Sequence, residues 1–489
     1  MLKYGVGLMA LSSALLCSSS WAQDLPFAGV NVIVANNAGG NSDYMPTAVA
    51  GWEEATGGSV SVEPIPFADI KEKILTALGA DTFIADLLVV PSGLAGDLIA
   101  GGYVMPVPEA SIEKLDYDDL FPGYRKNLSW DGVAYAWPWD GDVFTLNYRS
   151  DLFENEEYKA AFAKEYGYDL GVPATWKQYA DIAAFFSGTN RGVQFGWAEV
   201  GGRGSGSFHA FSARAVGYAK AASDPAFYFD PETMDARIGN PGFVKALEDW
   251  KAALPAAIPS VTTLGAFETH MAFITGQVAM AVDWTDTGVM GNDPTLSTIA
   301  GTGANAAAIL PGSDTLWDAK ANSWETLETP NQPGYAAFGG WIVFIPKNSR
   351  NPEAAISLAD HLGSAAIMTR ASQTPNSGVN PARISTLDDT AGWVNGAGFT
   401  DEAHAVNYLD SMRNSLLSEN LVYQLRIPGY SQYEEALELA ISEALTDQKT
   451  PEQALQDAAA SWNAITDRLG REKQLRYYRS DLGLSADVQ

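Results

Sequence analysis

The sequence predicts an α/β protein with mostly parallel sheet, on three observations. Val30–Ala35 is a near-continuous, valine-rich apolar run, the mark of a strand buried on both faces. Val60–Val62 and Leu87–Val90 repeat the signal, with Met45, Val49 and Trp52, then Ile70, Ile74, Leu75 and Leu78, at helical spacing between them. Such a βαβ series needs crossover connections and implies parallel pairing. The 489 residues, 46% of them hydrophobic, allow two or more domains with full-sized cores.

Residues 1–22 read as an export signal. Lys3 supplies the positive charge, Val6–Leu16 the short apolar core, and Ser20-Trp21-Ala22 the small residues before a cut. The expected mature terminus is Gln23, and the expected location is the periplasm. The apolar run is too short to span a membrane. Cys17, the single cysteine, lies inside this segment, and Leu16 stands where a lipoprotein signal needs a small residue. The mature chain would then hold no cysteine, which excludes disulfides, thiol catalysis and cysteine–zinc sites. Lys and Arg total 30 against 59 Asp and Glu, a net charge of −29. That balance repels nucleic-acid phosphates and anionic lipid, so neither is expected as a partner.

In open α/β sheets ligands bind beyond the carboxyl ends of strands. The first strand ends in Asn36-Asn37-Ala38-Gly39-Gly40 and the third in Pro91-Ser92-Gly93, which makes Asn36, Asn37 and Ser92 candidates. Each also suits an ordinary loop. Asp131-Gly132 is a strong turn pair. Val133 and Tyr135 alternate into Trp137-Pro138, where proline fixes an extended backbone. Trp139, Asp140, Gly141 and Asp142 follow, then Phe144, Leu146 and Tyr148 alternate as a strand. Indole faces cover sugar C–H faces and carboxylates accept hydroxyl hydrogen bonds, so Trp137, Trp139, Asp140 and Asp142 suit a polyhydroxylated ligand, with Asp142 the site candidate of the two aspartates. The tryptophans equally suit a core.

Thr175 caps a helix carrying Trp176, Tyr179, Ala183 and Phe186 on one face. Gln194–Gly206 is glycine-dense and predicts a flexible segment, with Arg203 inside it and His209 just beyond. Asn240-Pro241 caps a helix with Phe243, Leu247 and Trp250. Val278, Met280 and Val282 alternate into Asp283-Trp284-Thr285-Asp286, a second aromatic and acidic strand end. Ser313–Pro333 is polar and proline-punctuated, which predicts a long connection. Gly339-Gly340-Trp341 opens an apolar strand running to Pro346, and Asn351-Pro352-Glu353 caps the next helix. Ser431…Glu434 and Thr450…Gln453 have capping-box spacing ahead of two amphipathic helices. The charged tail, roughly 471–489, predicts partial disorder.

His209, His270, His361 and His404 lack the spacing of a zinc site, and no metal or other cofactor is expected. Gly202–Gly206 lacks the GxSxG order. Gly301–Ala306 fits a loose GxGxxA pattern, but Pro311-Gly312 follows before a helix can form, so it reads as a loop. Asp116, Asp118 and Asp119 lack the glycine and terminal glutamate of a calcium loop.

Several stretches in order resemble one family. DGVAYAWPWDGDVFTLNYRSDLF resembles the "dGklYgvP…YNkdlf" signature of bacterial extracellular solute-binding proteins (family 1, maltose-binding-protein-like), the ABC-importer class. Ala85–Val104, Pro173-Ala174-Thr175-Trp176, GQVAMAVDW, GGWIVFIPKNSRNPEAA, Gly378…Pro381…Arg383 and TPEQAL match further family segments. The surplus length falls in 196–238 and 313–333.

The resemblance implies a two-lobed, type II periplasmic-binding-protein fold with crossover hinge strands. The amino lobe would take 24–141 and 336–388, the carboxyl lobe 142–335 and 389–489. It implies a monomeric, non-enzymatic binding component that delivers a sugar, oligosaccharide or polyol to membrane permease subunits. Asp142 takes the place of the acidic residue that reaches the ligand, and Trp284, Gly340 and Trp341 stand at strand ends facing the cleft, with His209, Asp283 and Asp286 nearby. Two alternatives stay open: a secreted glycoside hydrolase using Asp142 with Asp283 or Asp286, and a binder of anionic solutes through Arg203.

Overall fold

The computed structural model describes Met1 and residues 25–485. The export signal, Cys17, Gln23 and Asp24 lie outside the described residues. In chain order the strands are β1 (Asn31–Asn37), β2 (Ser59–Ile65), β3 (Leu87–Pro91), β4 (Ser129–Trp130), β5 (Val133–Ala134), β6 (Trp137–Pro138), β7 (Phe144–Arg149), β8 (Phe195–Ala198), β9 (Val278–Trp284), β10 (Asn305–Ala308), β11 (Ser313–Asp318), β12 (Ser323–Asn331), β13 (Tyr335–Ala336), β14 (Trp341–Phe344) and β15 (Val422–Tyr423).

The valine-rich runs pair as their burial requires. β1 lies between β2 and β3, parallel to both, with Val34 opposite Val62 and Leu87. The sheet continues through β14 to β6, in the order β2-β1-β3-β14-β6. β14 runs against both neighbours, with Trp341 opposite Pro91. A second sheet has the order β10-β7-β9-β8. There β7 is the reversed strand, with Phe144 opposite Trp284, while β8 and β9 are parallel. Each sheet thus holds one strand running against the rest, and each of these two follows a crossing from the other sheet. The protein therefore has two α/β lobes. Their crossings bring Trp341, at the amino end of β14, and Trp284, at the carboxyl end of β9, toward the same space.

Local signals set most helix ends. Thr175 Oγ1 accepts from Gln178 N at 3.2 Å, Asn240 Oδ1 from Gly242 N at 2.9 Å, and Thr450 Oγ1 from Gln453 N at 3.2 Å. Asp131 and Gly132 both take positive φ, 49° and 78°, and turn β4 into β5. Four expectations are corrected. Ser431 and Glu434 form no capping box. The helix Tyr430–Leu445 starts after Gly429, whose φ of 84° already turns the chain, and Glu434 pairs with Lys71 instead. Asn351 sits at a helix start, but its side chain makes no capping hydrogen bond, and its Nδ2 donates to Asn31 O at 3.2 Å. Residues 313–331 are a β-hairpin, Trp317 opposite Trp324, because alternating Thr, Leu and Trp pair across a turn at Asn322. Arg471–Asp481 is a helix. Tyr478 is buried there, and its hydroxyl accepts from Phe227 N at 3.2 Å and Phe229 N at 3.3 Å.

The segment 194–206 is likewise only partly a loop, since Phe195–Ala198 forms β8 against β9. The main hydrophobic core runs through both lobes. The paired helices Tyr430–Leu445 and Pro451–Leu469 close it from one side, with Trp462 Nε1 donating to Tyr433 O at 2.8 Å.

Candidate functional site

The strand ends of the two lobes enclose a cavity of about 660 Å³, within the range of small-molecule sites. Asn37, Asn41, Phe67 and Trp341 line it from one lobe, and Ser205, Phe267, His270, Trp284 and Asp286 from the other. Asp140 and Asp142 contribute from the crossing between β6 and β7.

One wall is aromatic. Trp284 stacks on Phe338, with ring centroids 5.1 Å apart and planes at 17°. Trp341 meets Phe338 edge-on at 5.8 Å, and Phe67 does so at 5.6 Å. Phe338 owes its position to an unusual backbone. Phe338, Gly339 and Gly340 all have positive φ, at 56°, 59° and 85°. A phenylalanine there is strained and persists only where its surroundings fix it. Ser92 provides part of that support: its Oγ donates to Phe338 O and its N–H to Gly340 O at 3.1 Å. Asn127 Nδ2 donates to Gly339 O at 2.8 Å. A Cβ on Gly340 would overlap the Asp140 carbonyl oxygen, so the corner needs glycine there.

The floor is acidic. Asn380 N donates to Asp140 Oδ1 at 2.6 Å, and Asn380 Nδ2 to Asp142 Oδ1 at 3.2 Å and Asp286 Oδ2 at 3.1 Å. Thr285 Oγ1 donates to Asn380 Oδ1 at 2.6 Å, which fixes the amide orientation. Asp142 Oδ2 is buried without a partner. Burial, then repulsion from Asp286, holds Asp140 well above the usual carboxylate range. Asp142 is held up by burial and by both other aspartates, and Asp286 by burial although His270 opposes it.

Beside this floor His270 Nδ1 lies 2.6 Å from Asp283 Oδ2, and Thr287 Oγ1 touches both. Burial pulls the imidazole pKa down, but the Asp283 carboxylate outweighs it and the net shift is upward.

The structure gathers Asn37, Asp142, Trp284, Asp286 and Trp341 around the cavity and places the other candidates elsewhere. Trp137 and Trp139 are fully buried, with Nε1 bonded to Asp360 Oδ1 at 2.9 Å and Asn41 Oδ1 at 2.8 Å. The reason is alternation along an extended segment. The two odd-numbered tryptophans face the helices, and the even-numbered Asp140 and Asp142 face the cavity. Asn36 is also buried and orients Asn41, its Nδ2 donating to Asn41 Oδ1 at 2.9 Å. Ser92 and Gly340 shape the Phe338 corner and do not line the cavity. Asp283 does not line the cavity: its Oδ2 meets His270, and its Oδ1 accepts from Trp284 N at 3.0 Å. His209 is buried behind the aromatic wall, 4.4 Å from the Phe338 ring centroid, with Nδ1 3.1 Å from Tyr335 Oη. Burial pushes its pKa well down. Arg203 is half exposed, pairs with Glu435 at 3.4 Å, and borders, with Lys71 and Glu434, an adjoining cavity of about 540 Å³ that shares Phe67, Ala68 and Gly204 with the first.

His270, Phe67 and Phe338 are lining residues that sequence reasoning missed. Phe67 had a usable signal, since it follows the carboxyl end of β2 as Asn37 ends β1. Asp140, read from the sequence as part of one acidic pair with Asp142, lines the cavity beside it. Nothing in the sequence marks Phe338 for positive φ beyond the Gly-Gly that follows it. Among the described residues no group of three or more His, Cys, Asp or Glu is arranged to hold a metal ion, and no helix is long and apolar enough to cross a membrane.

Residues 47–400 match the family of bacterial extracellular solute-binding proteins, and the chain belongs to it. No curated protein matches the chain in sequence. Solved structures of similar fold include an ABC-transporter solute-binding protein from Agrobacterium radiobacter K84 in complex with ribitol. It is 19% identical, with a TM-score of 0.73 over 90% of this chain and 100% of that one. Maltose-bound MalE3 of T. maritima is 20% identical, with a TM-score of 0.70 over 89% and 100%. A solute-binding protein from Agrobacterium vitis S4 with bound D-mannitol is 20% identical, with a TM-score of 0.67 over 90% and 99%.

Proposed function

We propose that this member of the extracellular solute-binding family is the periplasmic binding component of an ABC importer. It takes a sugar, oligosaccharide or polyol between its lobes, as a monomer, and delivers it unchanged to membrane permease subunits. The observation that carries this reading is the cavity itself, an aromatic wall of Trp284, Phe338 and Trp341 above a floor of Asp140, Asp142 and Asp286. Flat rings suit the C–H faces of a sugar or polyol, and carboxyl oxygens suit its hydroxyls. The ribitol, mannitol and maltose in the solved structures of similar fold agree with that chemistry.

The lobe limits proposed are 24–141 with 336–388 and 142–335 with 389–489. Both crossings between the sheets support this division: the first limit falls between β6 and β7, and the second within the short β13, ahead of β14. Ligand closure of the lobes follows from differential affinity for the closed state.

Two observations weigh against the alternatives. Arg203 lies outside the cavity, and no Lys or Arg among the described residues lines it, which disfavours an anionic solute. Asp283 is committed to His270, which leaves a hydrolase only Asp142 and Asp286, joined through one Asn380 amide group. A thermal-shift panel of ribitol, mannitol, maltose and other neutral sugars tests the reading. A ligand at about 100 times its Kd adds about 2.7 kcal/mol of stability. A flat response across the panel, or new reducing ends from a bound sugar, would overturn it.

A further inference from the structure

Sugar hydroxyls can be met by neutral amides, yet this floor is built from three carboxyl groups. Asp140 and Asp142 are each less than 5% exposed, at 4% and 3%. Asn380, on the loop after the helix Ala365–Ser372, engages one oxygen from each of the three. It leaves Asp142 Oδ2 buried and unbonded in a residue that lines the cavity. A buried carboxylate without a cation is costly, and proteins ordinarily place an Arg or Lys beside it. No such residue lines this cavity. The His270 imidazole does line it, but its Nδ1 is committed to Asp283 at 2.6 Å, and Lys71 and Arg203 of the adjoining cavity are paired with Glu434 and Glu435. The wall over the floor is aromatic on Phe67, Trp284, Phe338 and Trp341, and ring faces attract cations.

We propose that the solute carries a protonated amine, as in an amino sugar or amino polyol, with its ammonium seated among Asp140, Asp142 and Asp286 and its carbon skeleton against the aromatic wall. This rests on the proposed function and narrows its ligand class. An ammonium brings three N–H donors and no acceptor, which suits a floor of carboxyl oxygens, and charge-assisted hydrogen bonds are about twice as strong as neutral ones. Burial and mutual repulsion, which hold the floor carboxyls above their usual range, are the conditions that a bound cation relieves.

The test is calorimetric titration of the full mature chain with matched pairs at neutral pH, where the amines are still largely protonated and the raised floor carboxyls release their protons more readily than in acid. The pairs are glucosamine with glucose, galactosamine with galactose, mannosamine with mannose, and 1-amino-1-deoxysorbitol with sorbitol. The hydroxyl partners keep the shape and lose the charge, and the N-acetyl forms of the amino sugars serve as second controls that keep the nitrogen without its charge. At least one amine should bind about tenfold tighter than its neutral partner or more, and its N-acetyl form should lose that advantage. Asp142→Asn and Asp286→Asn should each shrink the ratio within the pair. Neutral members binding as tightly as the amines in every pair would overturn the amine assignment and leave the sugar or polyol reading standing. No binding by any member would overturn both. The wild-type ratios and the acetylated controls decide the matter even if a floor variant fails to fold.

Discussion

Two pairs of tryptophans stand at strand ends in this protein, and the structure uses them in opposite ways. Trp137 and Trp139 are fully enclosed, and each Nε1 is bonded to a side chain of the lobe that buries it. Trp284 and Trp341 line the cavity, and Trp284 Nε1 is buried without a partner. One tryptophan of each pair adjoins an aspartate in the sequence, Trp139 before Asp140 and Trp284 after Asp283. The first pair anchors the crossing that presents Asp140 and Asp142; the second meets the solute space. A tryptophan next to an aspartate is therefore no guide to a site until the parity of its strand and the bond made by its indole nitrogen are known.

The largest effect expected from this contrast is on stability. Trp137→Ala should destabilise the protein by about 3–5 kcal/mol, read by urea denaturation, while the folded fraction keeps its ligand affinity. A large change in Kd at unchanged stability would erase the distinction. Trp284→Ala and Trp341→Ala should do the reverse, weakening affinity about tenfold to a hundredfold, or about 1.4–2.7 kcal/mol, by calorimetry. Some stability loss accompanies Trp284→Ala, because its ring also packs on Phe144 at 4.6 Å.

Asn127→Ala probes how the second pair is held. It removes the buried hydrogen bond to Gly339 O and should cost about 1 kcal/mol of stability, with a parallel loss of affinity as the Phe338 corner loosens. Stability falling with affinity intact would mean that the corner does not depend on that bond.

The acidic floor adds a slope with pH. The folded chain holds the Asp140 and Asp142 protons more tightly than the unfolded chain does. Their contribution to stability is thus full below the ordinary carboxylate range and is lost as pH rises through their folded values. Asp142→Asn should lose less stability than the wild type as pH rises from the ordinary carboxylate range. Parallel curves would mean that Asp142 titrates as an ordinary carboxyl. The smallest effect is expected for Arg203→Ala. This exposed side chain pairs only with an exposed Glu435, and its loss should change stability and affinity by less than about 0.5 kcal/mol.

Much of the frame was legible because the forces behind it are local. Apolar runs and helical spacing marked β1, β3 and β9, Thr175, Asn240 and Thr450 marked helix starts, and Asp131-Gly132 marked a turn. The readings that missed depended on distant partners. Ser431 and Glu434 have capping-box spacing, but Lys71 takes Glu434 from another helix. The tail from Arg471 is highly charged, but Tyr478 finds the backbone of Phe227 and Phe229.

The sequence by itself determined the α/β class, the family and the segments whose ends would meet, since periodicity and turn chemistry act over a few residues. Only the tertiary structure decided which side chains share the cavity. Asp140 meets Asn380 across 240 positions of chain, and Ser92 holds Phe338 across 246. The physical reason is that a strand presents alternate residues to opposite faces. Which face becomes solute space is fixed by what packs on the other one, and that partner is not encoded nearby in the chain.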